Sequence, residues 1–212
     1  MKCMTESLLR SALRSYLEGT LPTGAGRIVE ELGIERGAAR IDLALITDRL
    51  VGFEIKSDQD TFDRLSNQIH AYNRVFDEIT LVTGPALLDD ALRLLPPWWG
   101  MMAAECDSAG SIRLYVVREA QKNHLQEAIS VAMLLWKAEA VEVLALHAAR
   151  HIPARWASAK IHAMLAEVVP LNSLQRLVAT KLTARETWRM PVRSEPSDDS
   201  SHPAAMSIDY PA

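Results

Sequence analysis

Asp42, Glu54 and Lys56 are three ionisable residues set inside β-rich sequence. Asp42 lies in Arg40-Ile-Asp-Leu-Ala-Leu-Ile46, where a charge in mid-strand is costly unless it is used or paired. Glu54 and Lys56 are two residues apart, so on a strand they share one face, with Phe53 and Ile55 on the other. A tight hairpin would set Asp42 beside Glu54, and two close carboxylates repel unless a cation lies between them. Oxygen donors with room for water suit Mg²⁺ or Mn²⁺ better than zinc. Lys56 would then stand beside the ion, placed to orient or help deprotonate an attacking water and to offset phosphate charge. The plain alternative is an exposed strand face with a cross-strand ion pair.

The elements that must position these residues follow from periodicity and turn chemistry. Thr5 to Glu18 reads as a helix, with Thr5 as N-cap and Leu8, Leu9, Leu13 and Leu17 as its apolar stripe. Three strand-like runs follow at 27–34, 40–47 and 50–56, the last two joined by the short turn Asp48-Arg49 as an antiparallel hairpin. Asp60 is expected to cap a helix running to about residue 76. Ile79 to Thr83 reads as a buried strand, 86–95 as a short helix, and 98–102 and 112–117 as two more strands. The expected fold class is α/β: a mixed sheet flanked by helices. Beyond Arg118 the reading is one long helix over 126–150 and two more at 155–168 and 173–188, a small all-helical module. The expected organisation is a core over 1–120, a helical module over 121–190 and a disordered acidic tail over 191–212.

The 212 residues are 49% hydrophobic and 24% charged, with 9 Gly and 10 Pro, which excludes collagen-like, low-complexity and wholly disordered classes. Cys3 and Cys106 cannot form a disulfide framework and lack metal-site spacing. No apolar run is long enough for a membrane span, and the first residues have no signal-peptide pattern, so a cytoplasmic protein without a membrane partner is expected. Net charge is −4, unevenly spread: 11 Lys+Arg against 17 Asp+Glu over 1–110, then 12 against 6 over 111–193. An acidic front and a basic back suit a divalent-cation site beside a polyanion-binding surface, although chance variation in surface charge explains the pattern equally well. Arg150, Arg155, Lys160, Arg176, Lys181, Arg185 and Arg189 are candidates for a phosphate-binding face, with solvated helix surfaces the alternative. Trp98 and Trp99 could stack on bases but suit core packing better, and His147, His151 and His162 read as helix-surface residues.

Asp42, eleven residues and then Glu54-Ile55-Lys56, on a hairpin followed by a helix, resembles the core of the PD-(D/E)XK nuclease superfamily, with Ile41 in place of the Pro of its name. The wider string, through Glu30-Glu31, Gln68, Tyr72, Pro97-Trp-Trp-Gly100, Leu134 to Glu139 and Arg185 to Trp188, is similar to an uncharacterised bacterial family within it. The resemblance implies a restriction-endonuclease-like fold and a Mg²⁺- or Mn²⁺-dependent endo- or exonuclease acting on phosphodiester bonds, with DNA the expected substrate. It implies Asp42, Glu54 and the Ile55 carbonyl as metal ligands and Lys56 as the catalytic lysine. It adds a further acidic residue, with Glu31 preferred over Glu30. Gln68 and Tyr72 match the Gln-x-x-x-Tyr of RecB-type members and share a helix face, with Arg64 one turn earlier. That face could contact the scissile phosphate or the lysine. Many members of the superfamily pair as homodimers to cut both strands, which keeps a homodimer among the expectations. The competing expectation is a non-catalytic module of the same fold that binds nucleic acid or protein.

Overall fold

A computed structural model of the chain describes residues 4–22, 26–149, 151–186 and 188. The expected acidic tail, Cys3, Arg150 and Arg189 lie outside the described residues.

The chain opens with α1 (Glu6–Thr20), capped by Thr5, whose hydroxyl accepts from the Leu8 N–H at 3.4 Å. Its apolar stripe buries Leu9, Leu13 and Leu17. An antiparallel meander follows: β1 (Arg27–Ile34), β2 (Ala39–Ile46) and β3 (Leu50–Lys56). Then α2 (Leu65–Asn73) leads to β4 (Glu78–Thr83), and α3 (Pro85–Leu94) leads to β5 (Gly100–Cys106). β4 lies parallel to β3 and β5 parallel to β4, as strands joined through helices should. The hairpin partner of β5 is β6 (Ile112–Arg118), an edge strand that exposes Tyr115, Val116 and Val117. Spatial order in the six-stranded mixed sheet is the order of the chain, β1 through β6. Four more helices close the described chain: α4 (Ala128–Ala132), α5 (Lys137–Ala148), α6 (Ser158–Val168) and α7 (Leu171–Ala184). The protein is thus of the α/β class, a mixed sheet flanked by helices and followed by a helical segment. No helix among the described residues is long and apolar enough to cross a membrane.

Two apolar clusters cover the two faces of the sheet. Leu9, Leu13 and Leu17 of α1 pack with Leu43, Phe53, Ile55, Val82 and Met102. The larger cluster joins Ile41, Tyr72, Phe76, Leu81 and Trp99 to Val131, Leu144, Leu165 and Leu174 of the late helices. Asp77 fastens the late helices to the sheet. Its carboxylate accepts from the Leu50 N–H at 2.8 Å and from Gln175 Nε2 at 2.9 Å, and its carbonyl accepts from the Asn123 N–H at 2.7 Å. Gln175 also donates to Gln126 Oε1 at 2.7 Å, and Gln126 donates to the Val75 carbonyl at 3.0 Å. Burial pushes the Asp77 carboxyl above its usual range.

Several elements depart from the sequence reading. The long helix expected over 126–150 is broken into α4 and α5, because Trp136 takes an extended backbone and its N–H donates to Glu139 at 2.8 Å, which starts a new helix. Arg185 locks this break, donating to Glu139 Oε1 at 2.8 Å and to the Leu134 carbonyl at 2.7 Å. Asp60 does not cap α2. It accepts from both the N–H and the hydroxyl of Ser57 at 2.7 Å, closing a turn, and α2 begins only at Leu65. The strand expected from Trp98 begins instead at Gly100, where a Cβ would lie 2.5 Å from Thr80 Oγ1. Trp99 is core, its indole donating to Asn73 Oδ1 at 2.8 Å. His162 is buried rather than on a helix surface, its Nε2–H donating to the Leu135 carbonyl at 3.1 Å.

Asp77→Ala would leave the Leu50 N–H unpaired inside the protein and would take from the Gln175 amide one of its two acceptors. The expected cost is about 2–4 kcal/mol, read as a lower urea midpoint. A loss below about 0.5 kcal/mol, the size of an ordinary surface change, would show that this hub does not fasten the helices.

Candidate functional site

The site forms where β1 and β2 lose their regular alternation. Their register pairs Glu30 with Leu43 and Leu32 with Ile41, and Glu31 and Asp42 fall between these pairs. Glu31 has φ 55, in the left-handed region that side chains other than glycine avoid. Val29 and Leu32, three residues apart, therefore both reach the larger apolar cluster, as do Ile41 and Ala44. A non-glycine residue held this way costs of order 1–3 kcal/mol, and such strain concentrates at functional sites. Here it coincides with two carboxylates that meet the same side chain of α1: Arg10 donates to Glu31 and, at 3.0 Å, to Asp42 Oδ1.

Asp42 also serves the backbone. The β2–β3 pairing runs only as far as Leu43 opposite Phe53, and beyond it Asp42 Oδ2 accepts from the Ile55 N–H at 2.7 Å. The Asp42 carboxyl is pushed up to about 7, first by burial and then by the charge of Glu54, while the Ile55 N–H and Arg10 pull the other way. Attraction to Arg10 thus fails to offset burial and the neighbouring carboxylate.

Glu54 is 2% exposed and Lys56 7%. A carboxylate so far from water must be paired on both oxygens. Oε1 accepts from Lys56 Nζ at 2.7 Å and from Gln68 Nε2 at 2.5 Å, and Oε2 lies 2.8 Å from the Tyr72 hydroxyl. The same hydroxyl lies 2.6 Å from the Arg40 carbonyl, and Gln68 Nε2 is 3.3 Å from it. Burial, then the charge of Glu54, raise the Tyr72 phenol well above its usual range, so it stays a hydrogen-bond donor. Its ring is stacked on Trp99 at 6.2 Å and meets Phe76 edge-on, which fixes where the hydroxyl points. Gln68 Oε1 is buried without a hydrogen-bond partner among the described residues.

The structure thus brings Asp42, Glu54, Ile55, Lys56, Gln68, Tyr72 and Glu31 to one end of the hairpin. The two carboxylates expected side by side are held by different helices: Asp42 by Arg10 of α1, Glu54 by Gln68 and Tyr72 of α2. Glu30 is elsewhere, paired with Arg14 at 2.6 Å. Arg64 is exposed just before α2 and stands outside the hydrogen-bonded set. Asp58 turns to the start of α3, where a Cβ on Gly84 would lie 2.2 Å from its Oδ1. On the late helices, Arg185 is buried, which removes it from any phosphate-binding face; Lys181 pairs with Glu142 at 2.6 Å, and Arg155, Lys160 and Arg176 stay exposed.

Sequence reasoning missed Glu6, Arg10 and Arg40. Arg10 donates to Glu6 and Arg40 pairs with Glu31. The available signal was the i, i+4 spacing of Glu6 and Arg10 on the same helix face as Leu13 and Leu17, where charged side chains need partners. Oxygens of Glu6, Glu31 and Asp42 lie within 4.8 Å of one another.

Fold and site define an α/β protein with an acidic, ion-paired centre at the open end of a β-hairpin. The chain belongs to the Bacteriophage P4 protein cII family, whose family model matches residues 2–198. It is similar to Protein cII of Enterobacteria phage P4, 24% identical over 175 residues, which are 80% of this chain and 62% of that protein. The chain therefore spans less than two thirds of the length of this curated relative. The SPO1766 protein of unknown function from Silicibacter pomeroyi, a solved structure, is similar with a TM-score of 0.44 at 17% identity, over 74% of this chain and 100% of that one.

The Asp42 carboxyl, raised by its surroundings, has a consequence for stability. A folded-state value near 7 means the folded protein holds this proton more tightly than the unfolded chain does. Its stabilising contribution is full below the ordinary carboxylate range and is lost as pH rises through about 7. In EDTA at pH 8, Asp42→Asn should unfold at higher urea than wild type, and the advantage should vanish at pH 4. An Asn variant weaker than wild type at pH 8 would show that the charged carboxylate is net stabilising.

Proposed function

We propose that this protein is a divalent-metal-dependent nuclease of the PD-(D/E)XK type that hydrolyses phosphodiester bonds, with DNA as its substrate. The observation that carries the reading is the grouping of Asp42, Glu54 and Lys56 at one hairpin end, backed by Gln68 and Tyr72 of α2. The donor set fits a hard cation. It is made of carboxylates, and the Asp42 carboxyl is raised first by burial and then by the charge of Glu54, both of which a dication at this site would offset. Asp42, Glu31 and Glu54, with the Ile55 carbonyl, are the residues that would hold Mg²⁺ or Mn²⁺. The bound ion supplies Lewis acidity and lowers the pKa of a coordinated water.

The chain's own residues do the rest. Lys56 carries a positive charge at the buried end of the site, where it can orient the attacking water and meet the charge that develops on the phosphate. Tyr72 and Gln68 hold Glu54 in one orientation, so that its carboxylate need not reorganise during reaction. A fixed lysine–carboxylate pair also keeps Lys56 from swinging toward solvent.

The test is cleavage of plasmid and single-stranded DNA with Mg²⁺ or Mn²⁺. Asp42→Ala and Lys56→Ala should each lose about 10²–10⁴-fold in rate, the usual worth of a positioned acid–base group. Equal cutting by wild type and both variants would place the activity elsewhere. Metal binding without cutting of any nucleic acid would favour a binding module on the same fold.

A further inference from the structure

Arg10 keeps only 16% of its side chain exposed, although it carries a permanent charge. Its guanidinium touches Glu6 and Glu31, Asp42 Oδ1 at 3.0 Å and the Asp42 carbonyl at 3.4 Å. Glu6, Glu31 and Asp42 are also the three acids whose oxygens lie within 4.8 Å of one another. Three carboxylates that close repel, and this guanidinium is the cation that reaches all three. A dication drawn to Asp42 and Glu31 would compete for the same oxygens and be repelled by the guanidinium already among them.

We infer that Arg10 is an internal stand-in for the divalent ion: it balances the acids in the metal-free protein, and metal uptake moves its guanidinium off Asp42, freeing it to pair with a phosphate oxygen of the substrate. This rests on the nuclease reading above. The local architecture allows the movement. α1 is anchored by Leu9, Leu13 and Leu17, so the Arg10 side chain can swing while the helix stays in place. Glu6, one turn earlier and half-exposed at 51%, retains a hold on the guanidinium at the mouth of the site. A guanidinium presents its donors as a planar fork that matches two oxygens of a phosphate as well as those of a carboxylate. Arg10 would then serve two anions in turn, the protein's before metal arrives and the substrate's after.

Calorimetric titration of Mg²⁺ into the full chain tests this with no need for turnover. Arg10→Gln should bind Mg²⁺ at least about tenfold more tightly than wild type, since a like charge has been removed from beside the ion. Arg10→Lys, which keeps the charge, should stay within about threefold of wild type. Circular dichroism checks folding, and Arg10→Met, which retains the aliphatic stem, replaces the Gln variant if that variant is unfolded. Equal affinity in wild type and Arg10→Gln overturns the stand-in role and leaves the metal site standing. Weaker binding in Arg10→Gln also overturns it, since Arg10 would then be propping the acids in place. Absence of Mg²⁺ binding in wild type and all variants overturns both this role and the nuclease reading.

Discussion

A carboxylate removed from water must be answered on every side, and the rest of this site follows from how Glu54 meets that demand. Lys56 supplies charge, while Gln68 and Tyr72 supply directed hydrogen bonds. None of these partners is free to drift. Lys56 is on the same strand, and Gln68 and Tyr72 are one turn apart on α2. Tyr72 is held by Trp99 and Phe76, so the hydroxyl that meets Glu54 is the polar end of a residue whose ring belongs to the core. Chemistry and packing share a side chain here. Loosening the Tyr72–Trp99 contact would reach the charged centre without touching a charged residue.

The second carboxylate, Asp42, is managed differently. Its oxygens are divided between the Ile55 backbone and Arg10, and its surroundings leave it partly uncompensated. The site therefore has a rigid half, on the α2 side, and an adjustable half, where an arginine of α1 bridges acids from the helix, β1 and β2. The left-handed Glu31 belongs to the adjustable half, and its conformation lets both Leu32 and Val29 stay in the core while β1 delivers an acid to Arg10. The strain at Glu31 and the burial of Arg10 are two sides of one arrangement.

Much of this was legible in the sequence. Asp42, Glu54 and Lys56 stood out because charge inside a strand demands an explanation and because two-residue spacing fixes a common face. The strands were legible for the same reason, and β1 and β3 occupy the residues expected of them. Gln68 and Tyr72 depended on helical spacing, which survived even though α2 is shorter than expected. What escaped was set by tertiary contact. A left-handed glutamate has no sequence signature, and an arginine paired with a glutamate one turn away looks like any helix ion pair until acids from β1 and β2 close on it. The break between α4 and α5 escaped because Ala, Leu, Glu and Lys favour a helix throughout, and only Arg185, far along the chain, makes Glu139 more useful as a cap.

Spatial order in the sheet equals chain order, from β1 to β6. Each strand adds to the outer edge of those before it, so none must be threaded between two already joined. Such a sheet can be laid down progressively as the ribosome delivers it, since each strand pairs with the one made just before it. The final helices are the exception. Gln175 finds Asp77 only after the whole sheet has been synthesised, so the Asp77 carboxylate waits for this hydrogen-bond donor until α7 has been made.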